Sequence, residues 1–229
     1  MFRKSVPAVL FLILGFGAAA LAYVGTGYQL FGDAEYVSPG NNSNRAVKLT
    51  ASGQGFSGTS FGVPAGLAIN DLNQLSTDYH FAAGSSCGVG TPRFGIQLAG
   101  HAGTIFVYIG PPPNYTGCPA SVWSNTGNLL APASLVDSSQ VGGAFYEPWA
   151  TTQARLSGAN VSAVFIVSDT GGGPQTVTVD NTNVNGTTHD YEFESKEDCK
   201  KGGWQNFTFA PGPFKNQGQC VSHFAKEKN

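Results

Sequence analysis

Hydrophobic and polar residues alternate with a period of two in several short runs, and glycine, proline and asparagine punctuate the gaps between them. In Arg45-Ala46-Val47-Lys48-Leu49-Thr50, Val47 and Leu49 fall on one face, behind a turn at Pro39-Gly40-Asn41-Asn42. From Asp71 to Phe81, the residues Leu75, Thr77, Tyr79 and Phe81 share a face. Phe94, Ile96 and Leu98 alternate with Gly95 and Gln97. Thr104 to Ile109 is apolar on both faces, which predicts a strand in the middle of a sheet. Val161 to Val167 predicts another buried strand. Asp169 to Pro174 supplies a turn, and Thr176 to Asp180 alternates behind it, so a hairpin is expected there. No segment before residue 195 keeps a helical period. Many short strands with Gly/Pro turns predict an all-β sandwich or barrel.

The two ends depart from this pattern. Arg3 and Lys4 precede an apolar run, Val9 to Leu14, which leads into the small residues Ala18 to Ala22. Ala20-Leu21-Ala22 has the small-x-small form of a signal peptidase site, so residues 1–22 read as a cleaved signal peptide. The apolar stretch from Ala8 to Val24 is shorter than the roughly 20 residues of a membrane span. No basic cluster follows it, so no membrane attachment is expected after cleavage. From Ser195 onward lysines appear. Ser195 reads as an N-cap with Glu197 and Asp198 in the first helical turn, Gly202-Gly203 ends that helix, and a second helix is expected over Gln219 to Lys226. The organisation is therefore a β-sandwich at 23–194 and a short helical appendage at 195–229.

Charge and cysteine usage narrow the classes. Twelve basic and fourteen acidic side chains give a formal charge of −2, and loss of Arg3 and Lys4 with the leader takes it to −4. No basic patch of the kind that holds nucleic acid stands out, so nucleic acid is not an expected partner. All four cysteines, Cys87, Cys118, Cys199 and Cys220, follow the leader. An even number in an oxidising compartment predicts two disulfides. Of the three pairings, the local one, Cys87–Cys118 with Cys199–Cys220, is expected because each pair lies in one neighbourhood of the chain. Zinc is not expected, since no C-x-x-C spacing occurs and the histidines do not cluster with the cysteines.

Two short stretches carry a resemblance. The polar turn before Ala46-Val47-Lys48-Leu49, and the run Thr176-Val177-Thr178-Val179-Asp180-Asn181, resemble the early and closing strands of jelly-roll carbohydrate-binding modules of the galactose-binding-like type. The segments around Cys87 and Cys118, and the tail from Asp198 to Ser222, are similar to secreted proteins. The resemblance implies a jelly-roll antiparallel sandwich and a ligand that is a carbohydrate or a cell surface. It also implies a structural calcium. In jelly rolls the two chain ends lie side by side, which would bring Asp33 and Glu35 to Asp180, and carboxylates with loop carbonyls are the ligands calcium takes.

Candidate chemistry is sparse. Two G-x-S-x-G matches, Gly58 to Gly62 and Gly84 to Gly88, lack the following helix that a hydrolase elbow needs. Gly53 to Gly58 matches G-x-G-x-x-G, but Val63-Pro64 follows instead of a helix. A glycosidase needs two carboxylates across a cleft; Glu35, Asp78, Asp137, Glu147 and Asp169 are available, and no local motif pairs them. Five N-x-S/T sequons, at Asn41, Asn114, Asn160, Asn185 and Asn206, would be surface glycosylation sites in a eukaryotic secretory pathway. Sugar recognition by a sandwich uses exposed aromatics as platforms, with polar groups nearby. Trp123, Trp149, Tyr115 and Tyr146 lie in polar, loop-like sequence, and Arg93 could supply hydrogen bonds. The expected function is a secreted, non-catalytic binding protein. The alternatives are a structural or protein-interaction component of the cell envelope or matrix, and a polysaccharide-active enzyme.

Overall fold

The computed structural model describes residues 27–226, apart from 54, 89, 113 and 114. The expected signal peptide and Asn114 lie outside the described residues. Thirteen strands and two α-helices are described in chain order: β1 (Tyr28–Gly32), β2 (Ala34–Val37), β3 (Ala46–Ala51), β4 (Phe56–Phe61), β5 (Leu75–Phe81), β6 (Arg93–Leu98), β7 (Thr104–Tyr108), β8 (Ser124–Asn125), β9 (Leu135–Val136), β10 (Glu147–Pro148), α1 (Trp149–Arg155), β11 (Val161–Asp169), β12 (Gln175–Val184), β13 (Thr187–His189) and α2 (Gln217–Lys226).

Two sheets form the body, in the orders β1-β4-β11-β6-β7 and β2-β3-β12-β5-β8, and every pairing within them is antiparallel. Without β1 and β2, the strands of one sheet run β4-β11-β6-β7 and those of the other β3-β12-β5-β8. The chain crosses between the sheets so that two Greek keys interlock, which is the jelly-roll arrangement. The short hairpin β9–β10 stands apart, and β13 pairs with the end of β12.

The alternation read from the sequence sets the inner faces. Val47, Leu49, Val177, Val179, Leu75, Tyr79 and Phe81 of the second sheet meet Phe61, Phe94, Ile96, Leu98, Ile105, Val107, Val164 and Ile166 of the first in one buried cluster. Phe165 and Val167 point the other way and are still buried, packed with Phe31 and Phe56. Glycine makes room for these rings. A Cβ on Gly95 would lie 2.2 Å from the Phe165 ring, and one on Gly58 would lie 2.3 Å from the Phe31 ring. An aromatic laid over a strand glycine covers backbone that would otherwise be bare.

Four local expectations are corrected. Thr176 to Asp180 does not form a hairpin with Val161 to Val167: β11 and β12 lie in different sheets, and the turn after Asp169 carries the chain across the sandwich. Thr104 to Ile109 is not central: β7 ends its sheet. It is buried because Phe106 and Asp137 exchange both backbone hydrogen bonds at 2.9 Å, so the chain around β9 shields the edge. A helix does occur before residue 195. At seven residues α1 is too short to show a period; Trp149 and Thr152, three apart, are its buried positions. Residues 196–202 form successive turns closed by i to i+3 bonds rather than an α-helix. Ser195 still caps them, accepting from the Glu197 amide through its Oγ at 3.2 Å.

Beyond Tyr191 the chain builds a small unit with its own core: Phe207, Phe214 and Phe224 pack around the Cys199–Cys220 disulfide. Asn44, fully buried, moors it. Its amide nitrogen donates to Glu192 and to the Ala210 carbonyl, while its oxygen accepts from the Phe209 amide at 2.6 Å. The Arg45 guanidinium lies over the rings of Tyr36 and Phe193 and donates to the Glu192 carbonyl.

Candidate functional site

Alternation places Thr104, Phe106 and Tyr108 of β7 on the outer face of the first sheet, opposite Gln97, Gly95 and Arg93 of β6. The Arg93 guanidinium sits 4.6 Å from the Phe106 ring centroid. It pairs with Asp169 at the end of β11 and donates to the Gly90 carbonyl at 2.9 Å. Tyr108 donates its hydroxyl to Asp137 at 3.0 Å. Burial and the Asp137 carboxylate hold the Tyr108 phenol protonated well above its ordinary range.

Two loops bring further aromatics onto Tyr108. The Cys87–Cys118 disulfide closes the first of them, and Ser86 Oγ donates to the Cys118 carbonyl at 2.7 Å. Inside that loop Tyr115 adopts a left-handed backbone, φ +52°, and lays its ring 4.1 Å from Tyr108. Its buried hydroxyl has no hydrogen-bond partner among the described residues. The second loop runs from Asp137 to Glu147 and carries Phe145 and Tyr146. Tyr146 stacks on Tyr115 at 5.7 Å with 25° between the planes, and Phe145 meets Tyr108 and Tyr115 at 5.9 Å. Phe145 is 37 % and Tyr146 43 % exposed, while Tyr115 is 3 % exposed. Buried Tyr115 and half-buried Tyr108 therefore back two exposed rings.

The second loop is tied from beneath. Glu147 Oε2 accepts from Ser138 Oγ at 2.6 Å, Thr152 Oγ1 at 2.7 Å and Arg155 Nη2 at 2.6 Å. Arg155 also donates to the Val141 carbonyl at 2.7 Å. The Arg155 hydrogen bond, with those from Ser138 and Thr152, holds the Glu147 carboxyl down at about 2 against the opposing effect of burial. A side chain at Gly143 would push the Ser138, Arg155 and Glu147 groups apart, since a Cβ would lie 2.0 Å from Ser138 Oγ and 2.2 Å from Arg155.

The outer face of the second sheet is different. Register aligns Glu35, Lys48, Thr178 and His80 in one row across β2, β3, β12 and β5. Trp123 joins the row beside His80, with ring centroids 5.4 Å apart. One step along, Asp180 and Asp78 are direct cross-strand partners. Asp180 accepts from Ser43 Oγ at 2.5 Å and from the amides of Asn41 and Asn181 at 2.8 Å. Asp78 accepts from the side-chain amides of Asn41, Asn125 and Asn181 at 2.9, 2.6 and 2.9 Å. A β-bulge after Asp180, with Asn181 at φ +45°, turns the Asn181 side chain back onto Asp78. Burial pushes the Asp180 carboxyl up to about 6, the three donors opposing and Asp78 reinforcing the shift.

The proposed ligand residues thus separate. Arg93, Tyr115 and Tyr146 converge through Tyr108. Trp123 lies on the opposite sheet, and Trp149, 1 % exposed, is part of the core. Trp149 is withdrawn as a platform because α1 turns its indole inward, while Tyr146, three residues earlier, faces out. Tyr108 and Phe145 escaped the sequence reading; the first was hidden in a run apolar on both faces. The same alternation that buries Val107 would have placed Tyr108 beside Arg93.

Asp33, Glu35 and Asp180 are not brought together. Asp33 and Asp180 stand about 13 Å apart along the strand direction, four residues at strand rise. Glu35 is engaged by Lys48 at 2.5 Å, and the Asp180 oxygens are taken by hydrogen donors. Among the described residues no group of three or more His, Cys, Asp or Glu side chains could hold a metal ion. The three carboxylates named for calcium therefore do not fit it as a set.

A jelly-roll sandwich with an aromatic outcrop at one end is the class that fold and site define. Among the solved structures that align with it are two carbohydrate-binding modules of family 11 from Clostridium thermocellum. The module of the cellulosomal cellulase Lic26A-Cel5E is 16 % identical, with a TM-score of 0.40, covering 71 % of this chain and 84 % of its own. The module in complex with a beta-1,3-1,4-mixed-linked tetrasaccharide is 17 % identical, with a TM-score of 0.37, covering 73 % of this chain and 88 % of its own. No family model matches the chain, and no curated protein matches it.

Proposed function

We propose that this is a secreted, non-catalytic binding protein whose sandwich takes carbohydrate on the outcrop formed by Tyr115, Phe145 and Tyr146. The observation that carries the reading is a pair of exposed rings on a loop tied down by Glu147 and Arg155, backed by buried Tyr115 and half-buried Tyr108. Rigid aromatics present apolar area to the face of a sugar ring at little entropic cost. Two disulfides suit an oxidising compartment, and no helix among the described residues is long and apolar enough to cross a membrane. Carboxylates that an enzyme would use are already engaged: Glu147 by Arg155, Asp169 by Arg93, Asp137 by Tyr108 and Ser139, Glu35 by Lys48, and Asp78 by three asparagines.

The test is binding to a glycan array and to insoluble polysaccharides by the chain from residue 23, with and without EDTA. Saturable binding should fall at least about tenfold in Tyr146→Ala, while unfolding free energy falls by only about 1–2 kcal/mol, the worth of the lost ring contacts. Trp123→Ala, on the opposite sheet, should leave binding unchanged. Loss on EDTA addition would revive a calcium requirement at other ligands. Absence of binding to every glycan, with the disulfides intact, would overturn the reading in favour of a structural or protein-contact role.

A further inference from the structure

Charge is divided between the two parts of the chain. From residue 27 to 194 the basic side chains are Arg45, Lys48, Arg93 and Arg155, against eleven carboxylates; from 195 to 229 six lysines stand against three carboxylates. The appendage's two described acids are both paired. Glu197 binds Lys200 at 2.8 Å, and Asp198 faces Arg45 of the sandwich at 3.9 Å. Lys196, Lys201, Lys215 and Lys226 are exposed and have no ion-pair partner among the described residues, although an acidic sandwich lies beside them. The Cys199–Cys220 bond joins the segment carrying Lys196 and Lys201 to α2, which carries Lys226. Lys215 sits just before α2, its amide bonded to the Gln219 side chain at 2.7 Å.

We propose that the appendage is a contact surface for a polyanionic glycan, one bearing sulfate or carboxylate groups along its length. The Cys199–Cys220 bond restrains the backbone that carries these exposed lysines, so a multiply charged polymer meets them without the chain first having to order. The acidic sandwich repels the same polymer and confines contact to this end. The surface is separate from the aromatic outcrop, and the inference does not depend on it.

Chromatography of the chain from residue 23 on heparin, a sulfated polysaccharide, tests this with a salt gradient. Retention at low ionic strength is expected, with affinity at least about tenfold lower in the K196Q/K201Q/K215Q variant and a shallower dependence on salt. These side chains are exposed, so near-ultraviolet circular dichroism should be unchanged. Tyr146→Ala should be retained like the parent. Flow-through of the parent, identical elution of the triple variant, or loss of retention in Tyr146→Ala would each overturn the proposal. Displacement by duplex DNA at lower charge concentration than by the sulfated glycan would overturn it in favour of nucleic acid.

Discussion

Two buried carboxylates, one at each end of the functional story, show what surroundings do to the same group. Glu147 lies under the aromatic loop with a guanidinium and two hydroxyls on it, and its carboxyl is held down at about 2. Asp180 lies on the second sheet with three neutral hydrogen donors and no cation, and with Asp78 as its cross-strand neighbour; burial raises its carboxyl to about 6. Hydrogen bonds alone do not offset desolvation next to a like charge, whereas one well-placed arginine does. The first arrangement fixes a loop. The second pins the Asn41–Ser43 turn to the sheet at a cost that depends on pH.

The largest effect should come from breaking the first arrangement. Arg155→Ala leaves Glu147 buried without its counter-charge and should cost about 3–5 kcal/mol, read from urea unfolding at pH 7. A cost below about 1 kcal/mol would mean that Glu147 is hydrated there, and the contrast with Asp180 would collapse.

Next comes pH. Glu147 has a lowered carboxyl, so its contribution is present above the unfolded value of 4.5 and is lost as pH falls toward 2; the shift is worth about 3 kcal/mol. Asp180 has a raised carboxyl, so its contribution is present below 3.8 and is lost as pH rises through 6, again about 3 kcal/mol. Together they leave a stability maximum near pH 4, from which the Asp180 contribution declines up to about pH 6. Thermal unfolding of Asp180→Asn should lose the decline between pH 4 and 7, and Glu147→Gln the decline below 4.5. An unaltered profile in either variant would remove that group from the account.

The smallest effect sharpens the comparison. Ser43→Ala removes a donor that favours ionised Asp180. It should cost about 1.5–3 kcal/mol at pH 8 and clearly less at pH 4, where Asp180 is protonated. An equal cost at both values would show that the hydroxyl serves the turn and not the charge.

Much of this was legible in the chain because alternation is local. The inner faces of β3, β5, β6 and β12 follow from it, and the spacing of the cysteines pointed to the observed pairing. Partners of strands are not local. Thr176 to Asp180 follows Val161 to Val167 after a turn that suits a hairpin, yet its neighbours are β3 and β5, because the jelly roll sends alternate strands to opposite sheets. Tyr146 and Trp149 sit in one short polar stretch and differ only in which side of the chain the start of α1 turns inward. Asp78, Asn41, Asn125 and Asn181, remote in sequence, share a cage that required the bulge in β12.

The sequence by itself determined the all-β class, the two staples, the basic tail and the alternation that fills the core, since each depends on residue chemistry within a few positions. Only the tertiary structure decided which aromatics face outward, which carboxylates have a counter-ion and which have a like neighbour. Those depend on strand order and loop closure, and these are settled by the burial of the whole chain at once.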